Sequence, residues 1–124
     1  MPEATALTAA AMVSEARGLV VRGWCQGTHA RDRRGLEVSA WSSEARSWSL
    51  LGALLASWHR HETDSRDSDV VAHLADAEAL GDATRVLGEA VGTASLEHWN
   101  DEPQRTQADA LEALDRALRL LEAR

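Results

Sequence analysis

The 124-residue chain contains no isoleucine, tyrosine, phenylalanine or lysine, and only one cysteine. It also has no run of about 18 apolar residues, so we expect no segment that spans a membrane. Cys25 cannot form an internal disulfide, which agrees with a reducing compartment. Glu3 stands where a secretory signal would have a basic flank. These absences together predict a cytoplasmic protein.

The charge balance excludes a further class of partner. Thirteen arginines against twenty carboxylates leave a formal net charge of -7. Such a chain repels phosphate backbones and anionic lipid at long range. We therefore expect no nucleic-acid partner and no membrane partner.

What the sequence does contain favours helices. Alanine, leucine and arginine are strong helix formers, whereas valine and threonine are the only β-branched residues present. The length fits a single domain over residues 1–124. The predicted fold class is mainly α: a small single-domain bundle of about five helices, with a short β-hairpin after the first helix.

Apolar spacing and terminal signals place these helices. They are predicted over 6–21, 43–60, Val70 to near Gly81, Asp82 to near Gly92, and 107–122. Residues 60–68 are polar and predict a solvated loop, whereas 95–101 has room for one helical turn before Pro103. The stripes of the first, second and last helices are expected to form the core.

Several single residues are expected to set the ends of these elements. Gly23 is predicted to close the first helix in a left-handed conformation, and Ser42 or Ser43 to cap the second. The pair Thr106 and Asp109 predicts a capping box for the last helix. An Asp-x-x-Gly turn at 32–35, between two short extended pieces, predicts the hairpin.

Short motifs along the chain occur in a recognisable order. They are Arg22-Gly23-Trp24, Gln26-Gly27, Leu51-Gly52-Ala53-Leu54, Trp99-Asn100-Asp101, and Arg105-Thr106 ahead of Leu114-Asp115-Arg116-Ala117. In this order they resemble a family of short bacterial and phage proteins of unknown function. The resemblance covers most of the chain and implies no catalytic residue. Ser49 stands where that family commonly has a cysteine, which argues against a function that depends on this thiol.

One polar group among these motifs is a candidate ligand-binding site. Its members are Trp24, Gln26, Trp99, Asn100, Asp101 and Arg105. Indole faces would form the walls, and the amide, carboxylate and guanidinium groups would orient a small polar ligand. The alternative is structural: the polar side chains bond to nearby backbone, and Arg105 pairs with Asp101 to hold the turn before the last helix.

Tryptophan and histidine suggest two further hypotheses. The five tryptophans, among them Trp41, either form a cage or stacking platform for a ligand, or fill the core, as we expect for Trp48 and Trp58. Asp69, His73 and Asp76 would share one helix face, with His59 and His61 a short loop away, and could bind a cation. Because no recognised metal-binding spacing is present, we assign no metal.

Catalytic patterns are missing from the sequence. It has no Gly-x-Ser-x-Gly elbow and no phosphate-binding glycine loop, and Cys25 and His29 would lie about 13 Å apart along a strand. We assign no catalytic residue and no cofactor. The leading hypothesis is a non-catalytic binding module for a protein or small-molecule partner, as monomer or homodimer. The alternative is an enzyme of a biosynthetic or phage-encoded pathway, with a tryptophan-lined pocket and Asp101 or a histidine as general base.

Overall fold

The fold is built from five helices and three very short strands. The computed structural model describes residues 7–64 and 70–123. The helices are α1 (Ala9–Arg22), α2 (Leu50–Asp64), α3 (Val70–Val91), α4 (Leu96–Asn100) and α5 (Gln107–Glu122). The strands are β1 (Ala30–Arg31), β2 (Glu37–Val38) and β3 (Ser47–Trp48). The predicted mainly α class, with a hairpin after the first helix, is confirmed. Among these described residues, no helix is long and apolar enough to cross a bilayer.

Helix α1 begins later than the predicted 6–21 and ends at Gly23 as predicted, although Gly23 does not have the predicted conformation. Thr8 is the N-cap, since its hydroxyl accepts a hydrogen bond from the amide of Ala11 at 3.0 Å. Gly23 follows the helix with a φ of 179°, which is extended and not left-handed. A Cβ at this position would lie 2.2 Å from the carbonyl oxygen of Arg46. Glycine therefore serves the close approach of two backbone segments there.

The hairpin forms as predicted, with a third strand added. The Asp32 carboxylate accepts from the amides of Arg34 and Leu36, and Gly35 has a φ of +83°. The strand order is β2-β1-β3, and both neighbours run antiparallel to β1. The hydrogen bonds of the turn join neighbouring residues, so the turn could be predicted from the sequence. Strand β3 could not be predicted in this way, because its partner β1 lies well before it in the chain.

This third strand corrects the predicted start of the second helix. Helix α2 begins at Leu50 and not at 43, because Ser47 and Trp48 pair with β1. Ser49 caps the helix in place of Ser42 or Ser43, since its hydroxyl accepts from the amide of Gly52 at 3.0 Å. The helix also continues through Asp64. The predicted loop over 60–68 is therefore wrong for 60–64, and its remainder, 65–68, lies outside the described residues.

The predicted third and fourth helices are one helix, α3. Its buried residues continue at helical spacing through Ala79, Ala83, Val86 and Leu87, so packing on one face holds the backbone helical. Gly81 lies on the opposite, exposed face and does not end the helix. The end comes near Gly92, as predicted, and Gly92 has a φ of +70°.

The core lies where α1 packs against α2, α3 and α5. The first, second and last helices contribute to it as predicted, and α3 and, through Leu96, α4 contribute as well. The largest fully buried apolar side chains are Met12, Val13, Val20, Leu50, Leu54, Val86, Leu87 and Leu114. Trp48 is buried, although on β3 rather than on a helix, and Trp58 is partly buried against the same core.

Helix α5 approaches α1 through small side chains. Ala110, Ala113 and Ala117 are buried on the facing side, which lets the two helices lie close together. The predicted capping box is confirmed: the Thr106 hydroxyl accepts from the amide of Asp109, and the Asp109 carboxylate accepts from the amide of Thr106. The capping box therefore determines where α5 begins, shortly after α4.

Candidate functional site

Asn100, at the end of α4, is the centre of the predicted polar group. Its side chain is fully buried. The carboxamide oxygen accepts from the indole N–H of Trp24 at 2.8 Å and from the amide of Leu50 at 3.1 Å. The carboxamide nitrogen donates to the carbonyl of Cys25 at 3.0 Å and to the Asp101 carboxylate at 3.1 Å. One side chain thus joins the segment after α1, the start of α2 and the end of α4.

Gln26 and Asp101 complete this connection. The Gln26 carboxamide donates to the carbonyls of Asn100 and Glu102, at 2.9 and 2.7 Å. The Asp101 carboxylate accepts from the amide of Gly27 at 2.9 Å. We call Trp24, Gln26, Asn100 and Asp101 the Asn100 cluster. Its polar atoms bond to one another and to backbone, as in the structural alternative, but most of the partners lie 50 to 76 positions away and not in the nearby backbone that this alternative expected.

Arg105 and Trp99 form a separate pair beside this cluster. The guanidinium lies 3.8 Å from the centroid of the indole ring, and its Nε donates to the carbonyl of Trp99 at 2.9 Å. The expected ion pair between Arg105 and Asp101 is not formed within the described part of the chain. Trp99 and Arg105 line a cavity of about 220 Å³ that also includes Asp109, Glu112 and Arg116.

A cleft of about 220 Å³ opens between the hairpin and α4. We call it the hairpin cleft. It is lined by Gly27, Thr28, His29, Glu37, Ser49, Glu97 and Asp101. Of the predicted site residues, Asp101 lines it directly, while the rest of the Asn100 cluster fixes the segments on either side.

Three carboxylates and one imidazole face the hairpin cleft. Glu37 accepts from the Thr28 hydroxyl at 2.8 Å, and the Glu97 carboxylate lies 3.3 Å from Nε2 of His29. Among the described residues, no arginine is in ion-pair contact with Glu37, Glu97 or Asp101. The cleft therefore carries an excess of negative charge. Sequence reasoning missed Glu37, His29 and Glu97 as a group, because His29 and Glu97 are 68 positions apart.

Cys25 lies next to the cleft but is not placed as a nucleophile. Its side chain is buried, and its thiol points to the carbonyl of Thr28, with the sulfur 3.8 Å from the oxygen. Burial raises the pKa of this thiol, against smaller opposing effects of Ser47 and Arg31. A raised pKa keeps the thiol protonated near neutral pH, whereas a nucleophile must be a thiolate.

The histidines of the metal hypothesis bond to glutamates instead. His73 pairs with Glu62 across α2 and α3, and His61 pairs with Glu15 of α1. Asp76 is buried near the first of these pairs. Asp69 lies outside the described residues. In the ranges that the structure describes, no three such side chains converge in a way that could hold a metal ion.

Comparison with known proteins places the chain without naming an activity. No curated protein and no solved structure matches it. A family of unknown function, DUF6197, matches over residues 4–120, which is nearly the whole chain. The ordered motifs predicted membership of a family of this kind. The chain belongs to the DUF6197 family, a family of unknown function.

Proposed function

We propose that this protein is a non-catalytic binding module whose hairpin cleft receives a basic side chain of a protein partner. The observation that carries the proposal is the convergence of Glu37, Glu97 and Asp101 on one cleft without an arginine counter-ion among the described residues. A guanidinium or ammonium group complements such a site in charge and in hydrogen-bond donors.

The size of the cleft favours a single side chain over a free metabolite. Pockets for drug-sized ligands measure about 300–1,000 Å³. The hairpin cleft, at about 220 Å³, is smaller. A side chain presented by a larger partner fits such a space, since the partner's remaining contacts lie outside the cleft.

The walls of the cleft are set before any partner arrives. Gln26 and Asp101 tie the hairpin side of the cleft to the α4 side, through hydrogen bonds of 2.7 to 2.9 Å. A preformed site loses less conformational freedom on binding, so affinity rises for the same contacts. This assigns Trp24, Gln26 and Asn100 a positioning role, whereas Asp101 both joins the two sides of the cleft and faces the partner's side chain.

A cytoplasmic location and the lack of a nucleic-acid partner belong to the same proposal. They are supported by the single cysteine and the net charge of -7. An acidic surface attracts basic protein segments by the same long-range field that repels phosphate.

The test is a titration of the full chain with N-acetyl-arginine amide, in which binding is measured by NMR from the chemical-shift changes of the backbone amides. N-acetyl-glutamine amide, which lacks the charge, is the matched probe. We expect saturable shifts at Gly27 and Thr28 with the arginine probe, weakened roughly tenfold by Glu97→Gln or Glu37→Gln and reduced by salt. Glu78→Gln, on the exposed face of α3, is the matched control and should bind normally. Equal shifts with the two probes, or equal weakening by Glu78→Gln, would refute the proposal.

A further inference from the structure

Strand β2 forms an edge of the small sheet, next to the hairpin cleft. Strand β1 has a neighbour on each side, whereas β2 has a neighbour on only one side within the described chain. The carbonyl oxygens of His29 and Arg31 accept hydrogen bonds from the amides on either side of β3, at 3.1 and 2.8 Å. The backbone groups of Ala30, which lies between them, therefore face β2.

One donor and one acceptor of the β2 backbone point to the open edge. Ala30 lies directly opposite Val38 in the antiparallel pairing, so the N–H and C=O of Val38 bond to β1. Because this orientation alternates along a strand, the N–H and C=O of Glu37 point away from β1. No other strand of the described chain lies on that side. An edge of this kind is a template for an extended segment of another chain.

The open edge adjoins the hairpin cleft. A second cavity, of about 440 Å³, shares Thr28, His29 and Glu37 with the hairpin cleft and continues along the residues after β2 as far as Trp41. We call this second cavity the β2 groove. Trp41 stacks on His59, with ring centroids 4.5 Å apart, and is still 49% exposed. The groove therefore offers an apolar surface at one end, whereas the cleft offers carboxylates at the other.

The two faces of β2 differ in what their side chains contact. Ala30 is fully buried, and Val38 opposite it packs against the core. Glu37 is exposed on the other face, where it lines the hairpin cleft. In an added strand, the residue opposite Glu37 directs its side chain to this same face. A long side chain at that position therefore enters the hairpin cleft.

The charge at this position decides which segment fits the edge. A second copy of this chain, paired antiparallel through the same edge about Glu37, would place two glutamates opposite each other, which destabilises a sheet. An arginine opposite Glu37 has the complementary charge, and the carboxylates of Glu97 and Asp101 line the same cleft. Because β2 is only two residues long, its main-chain bonds must be supplemented by side-chain contacts.

We propose that the protein partner adds an extended segment to the sheet, antiparallel to β2. An arginine of this segment lies opposite Glu37, and an apolar residue two positions before the arginine lies toward Trp41. The antiparallel direction follows the two existing pairings of the sheet and is the more stable one per residue. This inference rests on the proposed function, since the arginine occupies the hairpin cleft, and it adds the main-chain contact.

The test compares short peptides by NMR titration of the full chain. The probe is acetyl-Ile-Thr-Arg-Thr-Thr amide. One matched peptide carries an N-methyl group on the arginine nitrogen, which would otherwise donate to the carbonyl of Glu37. The other carries it on the nitrogen of the following threonine, which points away from β2 in this pairing. We expect the first methyl group to weaken binding about tenfold and the second to weaken it less than about twofold.

Hydrogen exchange and one variant locate the contacts. The backbone amide of Glu37 points to the open edge, so saturation with the probe should slow its exchange about tenfold, whereas N-acetyl-arginine amide should not. Trp41→Ala, if folded by circular dichroism, should weaken the probe several-fold and leave N-acetyl-arginine amide unaffected. Leu120→Ala, at a 41% exposed position of α5, is the matched control and should bind both normally.

The outcomes separate this inference from the proposed function. If N-acetyl-arginine amide binds in the cleft but the two methylated peptides bind equally, or the Glu37 amide stays unprotected in the saturated complex, the added strand is wrong and the proposed function stands. The added strand is also wrong if the probe shows no saturable binding at millimolar concentration. If a peptide with glutamine in place of arginine binds as tightly as the probe, the proposed function itself is wrong.

Discussion

Asn100 shows how one side chain can satisfy the polar groups of three separate segments. It is the only asparagine in the chain and is fully buried. Its carboxamide has two donors and two acceptor positions, and all four are used. A buried polar group in this state stabilises a specific arrangement, because any other arrangement leaves a donor or acceptor without a partner.

Replacement of Asn100 by alanine should therefore destabilise the protein strongly. The Trp24 indole N–H, the Leu50 amide and the Cys25 carbonyl would each lose a partner. We expect the free energy of unfolding to fall by about 3 kcal/mol or more, as judged by urea denaturation. Gln104→Ala, in the exposed turn that follows, is the control and should change stability little. A loss below about 1 kcal/mol for Asn100→Ala would contradict the role given to this cluster.

Four of the six predicted residues lie together, but the sequence did not show that Trp99 and Arg105 form a separate pair, nor how the cluster bonds internally. Trp99-Asn100-Asp101 precedes a proline and a capped helix, so a structured turn was readable there. That Asn100 bonds to Trp24 and Leu50 depends on how α2 and the hairpin pack, which no local pattern encodes. For the same reason, the sequence did not predict that Glu37 and Glu97 line one cleft, because their proximity depends on the tertiary fold.

At the scale of the elements, two helical glycines have opposite roles. Gly52 lies in the first turn of α2, and a Cβ there would lie 1.9 Å from the carbonyl oxygen of His29. That same carbonyl accepts the amide of Ser49 at 3.1 Å, so α2 starts directly against the strand region. A Cβ at Gly81, in the middle of α3, would meet nothing within 4 Å. The first glycine is required by packing and the second is not.

Alanine substitutions should separate these roles. Gly81→Ala is expected to raise the free energy of unfolding by about 0.5–1 kcal/mol, since alanine favours a helix and meets no obstacle. Gly52→Ala should lower it by about 1–3 kcal/mol, because the gain in helix propensity is smaller than the cost of overpacking. Thermal and urea denaturation of both variants would check this. Stabilisation by Gly52→Ala would show that α2 can move away from His29.

Elements were predicted correctly where the interactions that form them join residues close together in the sequence. The turn at Asp32–Gly35 and the capping box at Thr106 depend on atoms within four residues, and both form. Strand β3 was missed because Trp48 has the spacing of a helical stripe, whereas its backbone pairs with Ala30. The break expected at Gly81 was wrong because buried side chains on both sides of it outweigh the cost of one exposed glycine.

At the scale of the whole molecule, titratable side chains of α1, α2 and α3 lie in contact with one another where these helices pack. Asp76 is 6% exposed. Burial, and then the neighbouring carboxylate of Glu62, raise the pKa of Asp76 above its ordinary value of 3.8, although His61 and His73 act in the opposite direction. The folded chain therefore holds this proton to a higher pH than the unfolded chain does. The contribution of this proton to the stability of the fold is fully present below pH 3.8 and is lost as pH rises through the raised pKa of Asp76.

Asp76→Asn should remove this pH dependence. The asparagine carries no charge at any pH, so the variant should gain stability relative to the parent chain as pH rises from about 4 to 7. Urea midpoints measured at several pH values in this interval would show the gain. Asp82→Asn, half exposed on the same helix, is the control. A constant difference between Asp76→Asn and the parent across this interval would mean that Asp76 titrates normally.

The ties at the hairpin end also fix when it can form during synthesis. Trp24 and Gln26 bond to partners that lie 74 to 76 positions further along the chain. The amino-terminal part of the chain leaves the ribosome first, so the side chains of Trp24 and Gln26 cannot form these hydrogen bonds until Asn100 has emerged. Until then the hairpin is held by β3 and the start of α2 alone, and a prematurely terminated product that lacks Asn100 cannot form the hydrogen bonds to α4. The end of the molecule that carries the hairpin cleft is thus assembled late, after most of the chain has left the exit tunnel.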